Sequence, residues 1–461
     1  MKTEDLKKAL ANTADDLIQE ALPESCGRNA GTRSAWMKYG AAAALLALAV
    51  LAGVLLLPNM RGPQEPKKVQ AADLLEDYKA QTVPEKKADD AFTEAGWDWS
   101  VRLFSNTFQE EKENKNVLTS PLSVMTALAM TANGAEGNTL KEMESALGGL
   151  SIQDLNAYLH TYLENLPSSE KASLNFANGI WFKDQADFQV EDNFLQTNVN
   201  YYEAAIRKAP FDESTLREIN QWTDLQTDHM IPQLLSRLNE ADLMVLVNAL
   251  CFDAKWTQPF QEEYCRKDVF TNLKGEEEEA VYMQGSGDGF FENEEAVGFW
   301  KNYDGSGYRF AAVLPKEGKS FEDFVQSLTG EKLAELFDGA REDLAVYIKL
   351  PKFSYDYSRS LTDVLEKLGM EEALGKGKAA ANFAGISQTP LFISDVIHKT
   401  RIDVDTEGTR AAAATAVVIT YGGMPEEWKE VALDRPFLYM ILDSKNNLPL
   451  FVGTVTGFPA E

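Results

Sequence analysis

Cysteine and histidine are nearly missing from this chain of 461 residues: it has three of each, with no C-x-x-C and no H-E-x-x-H. A zinc site built from nitrogen and sulfur ligands is therefore not expected, and the odd count of Cys26, Cys251 and Cys265 indicates no disulfide framework. Basic residues are also short, 44 Lys and Arg against 72 Asp and Glu, leaving a net charge of −28. A field of that sign repels phosphate backbones and excludes a general nucleic-acid binder. Catalytic signatures are absent as well. Gly318-Lys319-Ser320 ends like a phosphate loop, but Val313 stands where that motif needs glycine. No G-x-S-x-G elbow exists, since Gly285-Ser286-Gly287 has the wrong spacing. His160, His229 and His398 lie far apart in sequence and have no adjacent nucleophile. The chain is expected not to be an enzyme and to use no cofactor or metal.

The chain does have material for a large core: 44% of residues are hydrophobic and 10% aromatic, which excludes disorder throughout. Gly40 to Leu57 (GAAAALLALAVLAGVLLL) carries no charge. At ~1.5 Å per residue it spans about 27 Å, close to a ~30 Å hydrocarbon core. Trp36 and Tyr39 stand at its near edge, as interfacial aromatics do. A cleaved signal peptide would have a shorter apolar run behind a short basic start, and no small-x-small site follows Leu57. Leu51-Ala52-Gly53-Val54 has Val54 where a lipidated cysteine would stand. The run therefore reads as a single-pass anchor. Arg28, Arg33 and Lys38 balance Arg61, Lys67 and Lys68, so flanking charge does not set its orientation. No other apolar segment could export the long C-terminal part, which is placed outside the cell. The expected order is a cytoplasmic tail (1–34), a transmembrane helix (35–57), a charged Pro-containing linker (58–92) and an extracellular domain (93–461). A short helix is expected within the linker at Ala71–Tyr78.

From Trp97 on, the patterning mixes helix and strand. Val101, Phe104 and Phe108 have helical spacing across Trp97–Glu111. Ser120-Pro121 opens a second helix, with Ser as cap and Pro in the first turn, and Gly134 and Gly137 end it. Leu243–Phe252 is apolar on both faces and reads as a central strand. Tyr308–Leu314, Leu344–Leu350 and Leu391–Val396 read as further strands. Leu438–Leu442 and Leu450–Val455 form a hairpin turning at Lys445-Asn446-Asn447. Helices come early and strands late, without a βαβ rhythm, which is the α+β pattern.

The stretch after Asp403 is the most unusual. A short strand, Thr400–Val404, leads to Glu407-Gly408-Thr409, then to small residues and Arg410, then to Val417-Val418-Ile419-Thr420. An Ala-rich helix and a strand-forming insert are both compatible with it. Alanine has the best helix propensity, but the run ends in β-branched residues that prefer strands. With period two, Thr409, Ala411, Ala413, Thr415, Val417 and Ile419 share one face and Arg410 falls on the other. Such a segment could slot between existing strands without burying the charge.

These segments, in order and spacing, resemble the serpin family from about Thr93 to Phe458. The resemblance is carried by Asn116-Val117-Leu118-Thr119-Ser120-Pro121-Leu122-Ser123, by Leu246-Val247-Asn248-Ala249 with Lys255-Trp256-Thr257-Gln258-Pro259-Phe260, and by Val396-Ile397-His398-Lys399. Gly408 to Thr415, Asp434-Arg435-Pro436-Phe437 and Pro449-Leu450-Phe451-Val452-Gly453 complete it. It implies an α+β domain of three β-sheets and about nine helices with an exposed reactive-centre loop. It implies, too, a serine protease as partner. The protease attacks the loop and forms an acyl-enzyme, the cut loop inserts into the main sheet, and deacylation stalls. The implied hinge is Gly408, Thr409, Ala411, Ala412, Ala413, Ala414 and Thr415, with Thr406 standing where many inhibitory members have Glu. Ser120, Ser123, Asn248 and His398 match the shutter, a polar cluster beneath the sheet. Trp256 matches the breach, where the loop first enters. Family spacing puts the attacked bond at Gly422–Gly423, suiting an elastase- or subtilisin-like enzyme, with Tyr421 and a chymotrypsin-like enzyme as the alternative. The other implied role is a non-inhibitory binding or chaperone module that proteases merely cleave. A monomer is expected.

Overall fold

The doubly apolar run around Leu246 does form the middle of a sheet, because each of its faces meets a different core. In a computed structural model the described residues are 71–458, apart from 113–115, 170, 186–187, 203, 240–241, 306 and 410–426. The expected tail, the apolar span at 35–57 and the linker up to residue 70 lie outside them. Among the described residues no helix is long and apolar enough to cross a membrane.

In chain order the first elements are β1 (Ala72–Asp73), α1 (Asp90–Glu110), β2 (Leu118–Thr119), α2 (Pro121–Ala132), α3 (Gly137–Ala146) and α4 (Ile152–Glu164). Then come β3 (Ala172–Lys183), α5 (Asp192–Tyr201), β4 (Ala205–Ala209), α6 (Glu213–Gln226) and β5 (Met244–Lys255). The middle of the chain supplies β6 (Arg266–Thr271), β7 (Glu277–Gly287), β8 (Gly289–Glu292), β9 (Ala296–Asn302), β10 (Tyr308–Pro315), α7 (Phe321–Ser327) and α8 (Gly330–Asp338). The last elements are β11 (Ala345–Pro351), β12 (Phe353–Ser360), α9 (Thr362–Lys367), β13 (Asp395–Val404), β14 (Gly408–Thr409), β15 (Trp428–Ala432), β16 (Phe437–Asp443) and β17 (Pro449–Val455). The strands form three sheets: β1-β4-β3-β5-β14-β13-β12, β2-β17-β16-β10-β9-β8, and β15-β11-β7-β6. The expected α+β architecture of three sheets and nine helices is present among the described residues.

Leu246, Leu250 and Phe252 point from β5 into the larger core, while Val245, Val247, Ala249 and Cys251 join a second core with Trp181 and Ile219 of α6. The Pro121 helix, α2, is buried along its whole length. The late hairpin is β16–β17, antiparallel.

Two expectations differ. Of the strand expected at Leu391–Val396 only the last two residues are strand, since β13 begins at Asp395. Leu391 and Ile393 are buried and Phe392 between them is exposed, so the alternation is real. The backbone there, however, bonds to Ala373 (Ile393 N to Ala373 O, 2.9 Å) and not to a strand. Nor is Ala71–Tyr78 a helix. Ala72 and Asp73 pair antiparallel with Lys208 and Arg207, adding β1 at the edge of the main sheet. Residues 71–88, read in the sequence as linker, lie along the domain as a strap. The Ala71 N–H donates to Glu218 on α6 (2.9 Å), Tyr78 to Asp192 on α5 (2.7 Å), and the Lys86 N–H to Thr161 on α4 (2.8 Å).

Candidate functional site

The main sheet has a seam at its centre. From Asp395↔Val245 to Thr400↔Leu250, β13 and β5 pair directly and in parallel. Above that zipper β14 lies between them, antiparallel to both: Gly408 and Thr409 face Lys255 and Ala254, and Thr409 faces Val404. Glycine is needed at 408, where a Cβ would stand 2.1 Å from the Ala254 carbonyl oxygen. Thr409 points inward as its alternation requires, 1% exposed, with its hydroxyl 2.5 Å from the Tyr303 hydroxyl. Gly408 and Thr409, the first two of the expected hinge residues, thus lie inside the sheet. Ala411, Ala412, Ala413, Ala414 and Thr415, and the loop residues Tyr421, Gly422 and Gly423, lie outside the described residues.

Trp256 grips the segment before β14. Its backbone N–H donates to Glu407 O (2.9 Å) and its Nε1–H to Asp405 O (2.9 Å). The Phe260 N–H donates to Thr406 O (2.8 Å). Trp256 stacks on Tyr303 at 4.5 Å between ring centroids, and Phe260 meets it edge-on at 6.2 Å. At Thr406 the side chain meets a carboxylate of another segment. Glu262 accepts from the Thr406 hydroxyl (2.8 Å) and from Lys352 (2.7 Å). The Lys352 hydrogen bond first, and the Thr406 one second, hold the Glu262 carboxyl below its ordinary range.

Lower down, the polar cluster bridges the closed seam. The backbone N–H of Ser120 donates to His398 Nε2 (3.0 Å), so Nδ1 carries the proton and donates to Asn248 Oδ1 (2.8 Å). Asn248 in turn donates to Ser123 Oγ (2.5 Å) and to Asn178 Oδ1 (2.6 Å). His398 and Asn248 are register partners across the seam, as Asn178 and Asn248 are across β3–β5. Burial drives the imidazole down to about 3, so it is neutral. Each of these bonds is buried, and stranding a partner there costs about 1–3 kcal/mol. A strand entering here must break the His398–Asn248 bond.

Ser120, Ser123, Asn248 and His398 are therefore together, and Trp256 lies against Asp405 and Glu407, just before β14. One local expectation fails: Ser120 occupies the N-cap position of α2 but makes no side-chain cap bond. Sequence reasoning missed Asn178, Tyr303 and Glu262. An asparagine inside the apolar β3 run, between Ala177 and Gly179, was the signal for the first.

The comparisons with known proteins point one way. A family model described as Serpin (serine protease inhibitor) matches residues 95–457. An uncharacterized serpin-like protein of Thermococcus kodakarensis is 32% identical over 364 residues, 76% of this chain and 83% of that protein. Neuroserpin of Mus musculus is 29% identical over 378 residues, 78% of this chain and 90% of that protein. The crystal structure of the thermophilic serpin tengpin in the native state is similar at a TM-score of 0.80 and 42% identity, covering 85% of this chain and 100% of that one.

Proposed function

The chain belongs to the serpin family, and from that premise we propose that it is a suicide inhibitor of serine proteases, tethered outside the cell by its apolar N-terminal helix. One observation supports the inhibitory reading: Gly408 and Thr409 already sit as a strand between β5 and β13, with the seam below them closed by direct β5–β13 pairing. A loop leaving that point can continue downward only by parting the zipper. The residues that would follow are alanines and threonine on the inward face, so no bulky group opposes them.

The protease serine Oγ attacks the carbonyl carbon of Gly422. The Gly422–Gly423 amide breaks, the new amine leaves with the proton taken from serine, and an ester joins the protease to the loop. Strand insertion then drags the ester-linked protease along the sheet before water can attack, serpin loop insertion being a recognised form of β-strand addition. A small residue at the attacked position suits an elastase- or subtilisin-like pocket; attack at Tyr421 would make the target chymotrypsin-like. The protein is consumed and does not turn over. The tether reading rests on the charge-free run Gly40–Leu57 with Trp36 and Tyr39 beside it.

The test is to mix the detergent-solubilised full chain with elastase, subtilisin and chymotrypsin. An SDS-resistant adduct is expected, with a released peptide beginning at Gly423 or Gly422. Cleavage without an adduct for every enzyme would transfer the reading to a binding or chaperone module that is only a substrate. Recovery of the chain in the membrane pellet after alkaline extraction checks the tether; release into the supernatant would remove it.

A further inference from the structure

Lys301, near the end of β9, is 1% exposed, and no step of the trapping reaction uses it. A buried ammonium without a carboxylate in contact is costly, so something must gain from it. Its Nζ donates to the Ser286 carbonyl on β7 (2.9 Å). It also lies over two aromatic rings: Nζ is 4.7 Å from the Phe260 ring centroid and 6.0 Å from that of Trp256. These are the two residues whose N–H groups hold Asp405, Thr406 and Glu407 in place. Asp288, in the turn between β7 and β8, favours the charge from a distance, and among the described residues no further charged group acts on it. Tyr303, next but one along the chain, is kept protonated by burial and engages Thr409. Burial outweighs Asp288 and brings the lysine down to about 8, so it titrates near neutrality where an ordinary lysine would not.

We propose that Lys301 is a positioning residue of the trapping reaction: its ammonium holds the rings of Trp256 and Phe260 in the orientation in which they grip the hinge, so that losing the charge loosens the hinge. The role of the hinge in trapping rests on the inhibitor reading, but the clamp itself does not. A methionine of similar length would fill the same space without a charge, so a merely structural lysine would tolerate it. The test is amide hydrogen exchange of residues 404–409 in the full chain without protease, corrected for intrinsic rates, from pH 6.5 to 9.5. Hinge exchange in the wild type should climb about tenfold through pH ~8, between the sizes expected for an exposed and a fully desolvated cation–π contact. K301M should be about tenfold faster than wild type at pH 7 and flat with pH. K301R, which keeps its charge, should be protected at pH 7 and also flat. A flat wild-type profile, or K301M protected like wild type at pH 7, would overturn the clamp. If neither variant folds, the wild-type profile decides alone. An adduct with a flat profile would sink the clamp only; a stepped profile without an adduct would sink the inhibitor reading only.

Discussion

Protonating His398 in place would set a charge beside Asn248 and Ser120 with no carboxylate among its bonded partners. Its folded pKa, about 3, lies below the ~6.5 of an unfolded histidine. Between those values the unfolded chain binds more protons, so stability rises with pH across the window and is lost as pH falls through it. The slope from this group approaches ~1.4 kcal/mol per pH unit. As pH is lowered from 7 to 4, thermal midpoints should therefore fall more steeply for wild type than for H398Q, although H398Q should melt lower at pH 7. Parallel curves would show that His398 does not titrate there. The hinge gives a second single-residue test. Thr409 is sealed against Tyr303, and T409R would drive a charge into that space. The adduct should disappear while loop cleavage continues, seen as cleaved chain and free protease on a denaturing gel. Residues of this kind differed in legibility. The inward face of Thr409 followed from alternation alone, whereas Lys301 did not stand out, because a lysine in a strand ordinarily signals a solvent-facing position. Only tertiary contact between β9 and the Trp256 turn makes it a buried charge.

Among the elements, the edge of the main sheet is where sequence and structure part most. The strap leans on the domain through Leu74, Leu75 and Tyr78, partly buried against the core, and through β1. Partial burial of such side chains contributes roughly 2–3 kcal/mol. A chain beginning at Asp89, which keeps the cap of α1, should therefore fold but melt lower by ~4–6 °C by calorimetry. An unchanged midpoint would mean that the strap is not held in solution. Long patterned elements were legible: β5 from its two apolar faces, α2 from Ser120-Pro121, and the β16–β17 hairpin from its turn. A strand of Ala and Asp carries no periodicity to detect, and it exists only because β4 leaves an unpaired edge beside it. The segment 391–394 erred in the opposite sense, its alternation reflecting two buried anchors in a loop and not a ladder.

For the whole molecule, the trap requires that the intact form hold less free energy of pairing than its sequence allows. Cleavage within 421–424 by any protease that cuts there should let the loop complete the main sheet. The cut protein should then melt ~10 °C or more above the intact one, since each kcal/mol shifts a large domain by ~2 °C. Equal midpoints for cut and uncut chains would show that no insertion follows.

The direction of the strands marks where the proposed insertion would improve the pairing of the sheet. β3 and β5 run opposite ways, as do β12 and β13, yet β5 and β13 run the same way and are neighbours. Parallel pairing is slightly the weaker per residue, and here it joins the two halves of the sheet. The two-residue β14 is antiparallel to both of them. Extending it would replace one like-oriented boundary with two opposed ones, so the seam amounts to a fault in polarity that a strand running on from β14 would heal.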